Sequence, residues 1–178
     1  GRNDGLQRYD GSTYKTFRDT ADTGSLSNNE VLEAYLDLNG RLWVGTLNGL
    51  NLYNEELNRF TRIFLSDDSP TSNVIRCIIE DHNNHLYVGT HGGLYLIEPE
   101  NADGLNHAKE VSAESNPVNP KRLNILNETH VTSVIQDSEK NILISTFSRE
   151  INILDPTGIS ITQVDYNSFL KPYLRNTA

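Results

Sequence analysis

Short apolar runs, each the length of a β-strand, recur along the chain in a fixed order and are separated by turn-forming residues. "VLEAYLDL", beginning at Val31, is followed after "NGR" by "LWVGT" and, after a second short turn, by "LNLYN". The order returns from Val74 as "VIRCIIED", "HNNH", "LYVGT" and "LYLIE", and from Val131 as "VTSVIQD", "SEKN", "ILIST" and "INILD". Runs this short, rich in β-branched and aromatic residues and bounded by Asn and Gly, predict strands. The intervening turns carry residues that tolerate a positive φ, as tight hairpins require. A weaker fourth strand closes each unit at "RFTRIF", "AKEVS" and "SITQV".

The spacing is periodic. Trp43 and Tyr87 lie 44 residues apart, as do Gly5, Gly49 and Gly93 in succession. The third copy is fainter: Ser145 stands where Gly45 and Gly89 stand in the others, and the step from Tyr87 to Leu143 lengthens to 56 residues. The extra residues fall in "NADGLNHAKEVSAESNPVNPKRLN", a polar stretch that predicts a surface loop. Before the first unit, "GLQRYDGSTYKTF" supplies the third and fourth strands of an incomplete one. Four-stranded antiparallel units of this length cannot bury both faces alone, so they stack radially. The expectation is an all-β partial β-propeller of about three and a half four-stranded antiparallel blades, in one fragment spanning 1–178. Its parts are a half blade at 5–17, a blade at 31–64, a blade at 74–112 with an inserted loop to about 123, a blade at 131–164 and a tail at 165–178.

The first strand of each blade, apolar on both faces, is expected to be the crowded innermost one, and the fourth to be exposed at the rim. Trp43 and Tyr87 should fill the space between blades. Gly45 and Gly89 should leave room for a close-packed neighbour, and Gly49 and Gly93 should mark the turn into the third strand.

Composition narrows the function. The 178 residues carry a formal charge of -9, and no Lys/Arg cluster lines a face, so neither nucleic acid nor an anionic membrane is an expected partner. Cys77 is the single cysteine and lies in an apolar strand, where a buried small hydrophobe is expected and no internal disulfide is possible. "DHNNH" brings Asp81, His82 and His85 together, but on a turn with no third strong ligand nearby, so no metal and no cofactor is expected. The paired carboxylates Glu55-Glu56 and Asp67-Asp68 fall in loops, and no nucleophile elbow, no phosphate loop and no Cys-His pair with a plausible partner appears. No catalytic residue is assigned.

Residues 25 to 54, "SLSNNEVLEAYLDLNGRLWVGTLNGLNLYN", resemble the two-component regulator propeller repeat: a Ser-Leu-Ser-Asn opening, a Val-started strand, an Asn-Gly turn, "LWVGT" and then "GLNLY". A second match runs from Ser69 to Ile97 and a degenerate third from His130 to Asp155. The resemblance implies part of the periplasmic sensor region of a hybrid histidine kinase, as found chiefly in gut Bacteroidetes, where many members detect glycan fragments. It implies signal transduction to a kinase, no enzymatic activity in this segment itself, and further blades of a parent protein as partners. Two other readings stay open: a scaffold or interaction propeller that senses nothing, and a propeller lyase or hydrolase.

Propellers usually bind at the face formed by the loops between second and third strands and by the connections that enter each innermost strand. Those positions carry Asn48, His91, Phe147 and Arg149, together with Asn28, Asn73 and His130. Amide, imidazole and guanidinium groups beside a phenyl ring suit a sugar, whose hydroxyls need paired donors and acceptors and whose apolar face stacks on a ring. An oligosaccharide is therefore the expected ligand. An open arc with uncovered terminal faces is also expected to self-associate.

Overall fold

The computed structural model describes residues 4–98, 120–123, 126, 129–148, 150–158 and 160–165. The third and fourth strands of the half blade come first, β1 (Leu6–Tyr9) and β2 (Tyr14–Phe17), paired as an antiparallel hairpin. Blade one contains β3 (Val31–Leu36), β4 (Leu42–Thr46), β5 (Gly49–Asn54) and β6 (Arg59–Ile63), hydrogen-bonded in that order. Blade two follows a short 3-10 turn, Pro70–Asn73, and comprises β7 (Ile75–Glu80), β8 (Leu86–Thr90), β9 (Gly93–Ile97) and β10 (Lys121–Arg122). Blade three is β11 (Val131–Gln136), β12 (Ile142–Thr146), β13 (Glu150–Leu154) and β14 (Ile161–Asp165). All pairings are antiparallel between sequence neighbours, and the first strands of successive blades pack on one another, β3 on β7 and β7 on β11. This is the partial propeller that the repeats predict.

Pleating sends alternate residues of each blade to opposite faces, and so builds three cores. Leu6 and Phe17 of the half blade pack with Val44 and Phe60 of blade one. The other face of blade one sends Trp43, Leu50, Leu52 and Ile63 against Ile75, Ile78, Leu86, Val88 and Tyr95 of blade two. Cys77, Tyr87 and Leu94, on the far side of blade two, meet Val131, Val134, Ile142 and Ile144 of blade three. Trp43 and Tyr87 thus occupy the spaces between blades, the first with no exposed surface.

Gly45 explains how closely the blades approach. A Cβ placed on it would lie 2.6 Å from Ile75 Cγ2, and one placed on Gly89 would lie 2.7 Å from Val131 Cγ1 and 2.5 Å from Cys77 Sγ. Each glycine is a socket for the β-branched residue that opens the next blade's first strand. The short turns behave as expected, with positive φ at Gly40, Asn84 and Lys140.

Two expectations need correction. The innermost strands are not the most buried: β3 and β11 show mixed exposure, whereas β4, β5, β8 and β9 are almost wholly buried. The reason is position in the sheet, because the first strand is an edge with one unpaired side and the second and third have a neighbour on both sides. The fourth strand of blade two is not where the period places it. The expected strand at 108–112 lies outside the described residues, as does the tail from 166, and the strand that pairs with β9 is Lys121–Arg122, with Lys121 opposite Leu96.

Candidate functional site

The same two-residue turn joins the second and third strands in blades one and two, whereas blade three has three residues between Thr146 and Glu150 and pairs Thr146 Oγ1 with the Ser148 hydroxyl at 2.8 Å. In blade one, Thr46 Oγ1 donates to the Gly49 carbonyl at 2.9 Å and accepts from the Asn48 N–H at 3.1 Å; in blade two, Thr90 Oγ1 makes the matching bonds to Gly93 and Gly92 at 2.9 and 3.0 Å. The turn is then stitched to the connection entering the first strand. The N–H of Leu47 donates to the Glu30 carbonyl, that of His91 to Val74, and that of Phe147 to His130, at 3.1, 3.2 and 3.0 Å. Local hydrogen bonding thus brings each loop beside its own blade's incoming strand, and the close blade spacing brings blade two's loop beside blade three's.

One consequence is a cluster of rings at the seam between blades two and three. The imidazoles of His91 and His130 lie 3.7 Å apart, centroid to centroid, and His130 lies 5.6 Å from the Phe147 ring, nearly parallel at 12°. Phe147 is 77% exposed, so one ring at the edge of the cluster faces solvent. His91 Nε2 is buried without a protein partner among the described residues. The hydroxyl of Ser72, packed where a Cβ on Gly92 would fall, and Nε of Arg122, whose Nη2 donates to the Gly92 carbonyl at 2.7 Å, are likewise unpartnered.

Both imidazoles are held below their ordinary pKa, first by burial. For His91 the neighbouring His130 and then Arg76 add to the effect, and for His130 Arg76 does. The two rings are thus biased to the neutral form, in which each has one donor and one acceptor nitrogen.

Arg76 was not among the residues singled out by sequence. It sits at a β-bulge: the β7–β8 register shifts between Ile75 and Cys77, as it shifts between Val31 and Glu33 in blade one and between Val131 and Ser133 in blade three. A bulge re-aims the extra side chain out of the ladder, and the residue at that place is Leu32, Arg76 and Thr132 in turn. Arg76 is exposed and forms no ion pair among the described residues. The available signal was a lone cation inside the apolar run "VIRCIIED".

The remaining candidates are placed differently. Asn73 is buried, its Oδ1 accepting from the N–H of Leu65 at 2.7 Å and its amide donating to the Ser66 carbonyl at 2.7 Å, so that it fastens the connection between blades one and two. Asn28 Oδ1 accepts from the Glu30 N–H at 2.7 Å. Asn48 is exposed on the blade-one turn, and Arg149 lies outside the described residues. The structure therefore joins His91, His130 and Phe147 into one patch, places the Arg76 bulge two residues beyond Val74, whose carbonyl accepts from the His91 N–H, and gives Asn28 and Asn48 to the corresponding end of blade one. In the "DHNNH" turn, His85 Nδ1 lies 3.1 Å from Asp81 Oδ2, and no group of three metal-ligating side chains occurs among the described residues.

Comparison with known proteins agrees with this architecture. Residues 69–92, from the 3-10 turn through β8 to the turn that holds His91, match the two component regulator propeller family. Among solved structures, the extracellular domain of BT4673, named as a hybrid two component system from B. thetaiotaomicron, superposes with a TM-score of 0.72 at 20% identity, over 95% of this chain and 23% of that one. The corresponding domain of BT3049 from the same organism gives 0.60 at 24% identity, over 89% of this chain and 22% of that one. Virginiamycin B lyase from Staphylococcus aureus gives 0.53 at 8% identity, over 76% of this chain and 41% of that one. The chain thus spans less than a quarter of the two B. thetaiotaomicron domains, and these likenesses establish the propeller fold. No curated protein matches the chain. No helix among the described residues is long and apolar enough to cross a membrane.

Proposed function

We propose that the chain is part of the extracytoplasmic, periplasmic sensor domain of a hybrid two-component signalling protein, that it contributes to detection of glycan breakdown products, and that its parent passes the signal to a kinase. The observation that carries this reading is the ring cluster of His91, His130 and Phe147 on the loop face, built partly from the segment that matches the two component regulator propeller family. An exposed phenyl ring offers a stacking surface for the apolar face of a sugar, and neutral imidazoles supply the paired donor and acceptor that hydroxyls need. The propeller neighbours that resemble the chain over most of its length are extracellular domains of proteins named as hybrid two component systems, which supports the compartment and the parent. On this reading the segment performs no chemistry of its own.

A thermal-shift screen of oligosaccharides tests it. One glycan class at a hundred times its Kd should stabilise the chain by about 2.7 kcal/mol, and Phe147→Ala should remove the shift without lowering the melting temperature of the free chain. Stabilisation that survives Phe147→Ala would place the ligand elsewhere. Turnover of the glycan would favour the lyase or hydrolase reading, and silence across all classes would favour the scaffold.

A further inference from the structure

We propose that the seam between blades two and three binds an acidic sugar, its carboxylate or sulfate held between the Arg76 guanidinium and the His91 and His130 imidazoles while Phe147 stacks on the pyranose ring. The inference rests on the ligand-binding reading above and adds the charge of the ligand to it.

Local charge at the seam differs from that of the chain as a whole. The chain as a whole carries -9, which would repel an anion, yet the charged groups that act on the two imidazoles are cationic or imidazole: Arg76 on both, and His130 on His91. No carboxylate of the described residues forms an ion pair with Arg76, whereas Arg41, Arg59 and Arg62 each hold an Asp side chain. A guanidinium without a carboxylate partner, set out by a bulge, keeps its planar donor fork available for an anion, and carboxylates and sulfates match that fork. A second guanidinium, that of Arg122, holds the turn at 91–92 through the Gly92 carbonyl.

The two imidazoles give the site a pH signature. In the free protein burial and Arg76 lower the pKa of both, and with centroids 3.7 Å apart the second protonation is opposed by the first. An anion seated beside them reverses the balance and favours taking up one proton. Binding of an acidic sugar is then coupled to proton uptake, and affinity must rise as pH falls through the imidazole range. A neutral sugar on the same ring would show no such dependence.

The test uses the whole chain and follows the imidazole Cε1–H signals by NMR, with His82 and His85 as internal controls. The probes are methyl galacturonide and methyl glucuronide, galactose 6-sulfate, and the neutral methyl galactoside and methyl glucoside. The acidic probes should shift His91 and His130 saturably while the controls stay still, the neutral ones should not, and affinity should rise about three- to tenfold from pH 7.5 to 5.5, the mark of partial uptake of one proton, whose full uptake over that range would give about a hundredfold. Arg76→Gln should weaken acidic binding about tenfold or more with the melting temperature unchanged, and Arg76→Lys should restore part of it. The proposal is overturned if no acidic probe shifts the two imidazoles saturably up to about 100 mM, a hundred times a millimolar Kd, or if neutral probes shift them as strongly. Neutral glycans that bind in a Phe147-dependent way while acidic ones do not would sink this inference and leave the glycan reading standing.

Discussion

Gly45 is the smallest residue in the fold with the largest geometric consequence, because blade two can approach only where blade one has no Cβ. Filling that socket places an atom 2.6 Å from Ile75 Cγ2, on a β-branched side chain with no exposed surface and no room to turn. We expect Gly45→Ala to destabilise the chain by about 1–3 kcal/mol through overpacking. In urea denaturation the loss should couple to Ile75→Ala, the double variant being more stable than the sum of the two single losses; additive losses would show that the two residues do not share the space. A second residue-scale expectation concerns pH. Burial pushes the Cys77 thiol from 9.0 up to about 11 and the Tyr87 hydroxyl from 10.0 up to about 12. The unfolded chain therefore releases these protons first as pH rises, so stability is fully present below pH 9.0 and declines through the window up to about 11 and 12. Melting temperatures between pH 8 and 10.5 should fall with Cys77 present, and Cys77→Ala should remove the earlier part of the fall.

At the scale of elements, the hairpins owe their shape to an aspartate that recurs at 37, 81 and 137. Each Oδ1 accepts from the N–H groups two and four residues on, and each Oδ2 meets the side chain four residues on: Arg41 at 2.6 Å, His85 at 3.1 Å and Asn141 at 2.9 Å. In blade one Asp37 also accepts from Trp43 Nε1 at 2.8 Å, and the Asp37–Arg41 pair is buried. Asp37→Ala takes the carboxylate from a buried guanidinium and an indole, so it should cost about 3–5 kcal/mol. Asp137→Ala, at a turn partnered by a neutral amide, should cost about 1 kcal/mol. Equal losses on chemical denaturation would refute the distinction. These aspartates were visible in the sequence, each at the end of a first strand, yet they read as ordinary turn residues because their partners are specified by geometry and not by residue type.

The strands themselves, the turn glycines, and Trp43 between blades were legible because period, alternation and size each encode one local requirement. Three features were not. The 44-residue period does not survive an insertion, so it gives no sign of Lys121–Arg122, the strand that pairs with β9 among the described residues. Apolar content at the first strands reflects packing on neighbouring blades through their faces, and could not reveal that an edge strand remains partly open. For the candidate site, the turn positions of His91, His130 and Phe147 follow from topology, but that blade spacing makes them one cluster, and that a bulge adds Arg76, depends on inter-blade geometry that no single repeat contains.

On the scale of the whole molecule, the described surface is uneven. Leu36, Leu38, Ile135, Tyr9 and Tyr14 are large and exposed, and β1 has one partner strand among the described residues, leaving one edge open to pairing. Such edges and patches favour contact with a second copy or with other blades. The chain is expected to self-associate, with weight-average mass rising in sedimentation between about 1 and 100 μM as mass action requires. A single monomeric species throughout would refute this.

The sockets carry a further meaning for how such an array can change over generations. Gly45 is matched to Ile75 and Gly89 to Val131, so the part that must stay small sits in one repeat and the part that fills it in the next. A blade is therefore not a free-standing unit of inheritance. Exchanging blade two for a foreign repeat requires the incoming segment to bring both a branched residue at its start and a hollow near the end of its second strand. Recombination that respects both joins keeps the array in phase, and a larger residue at one join costs least when the residue across the seam becomes smaller.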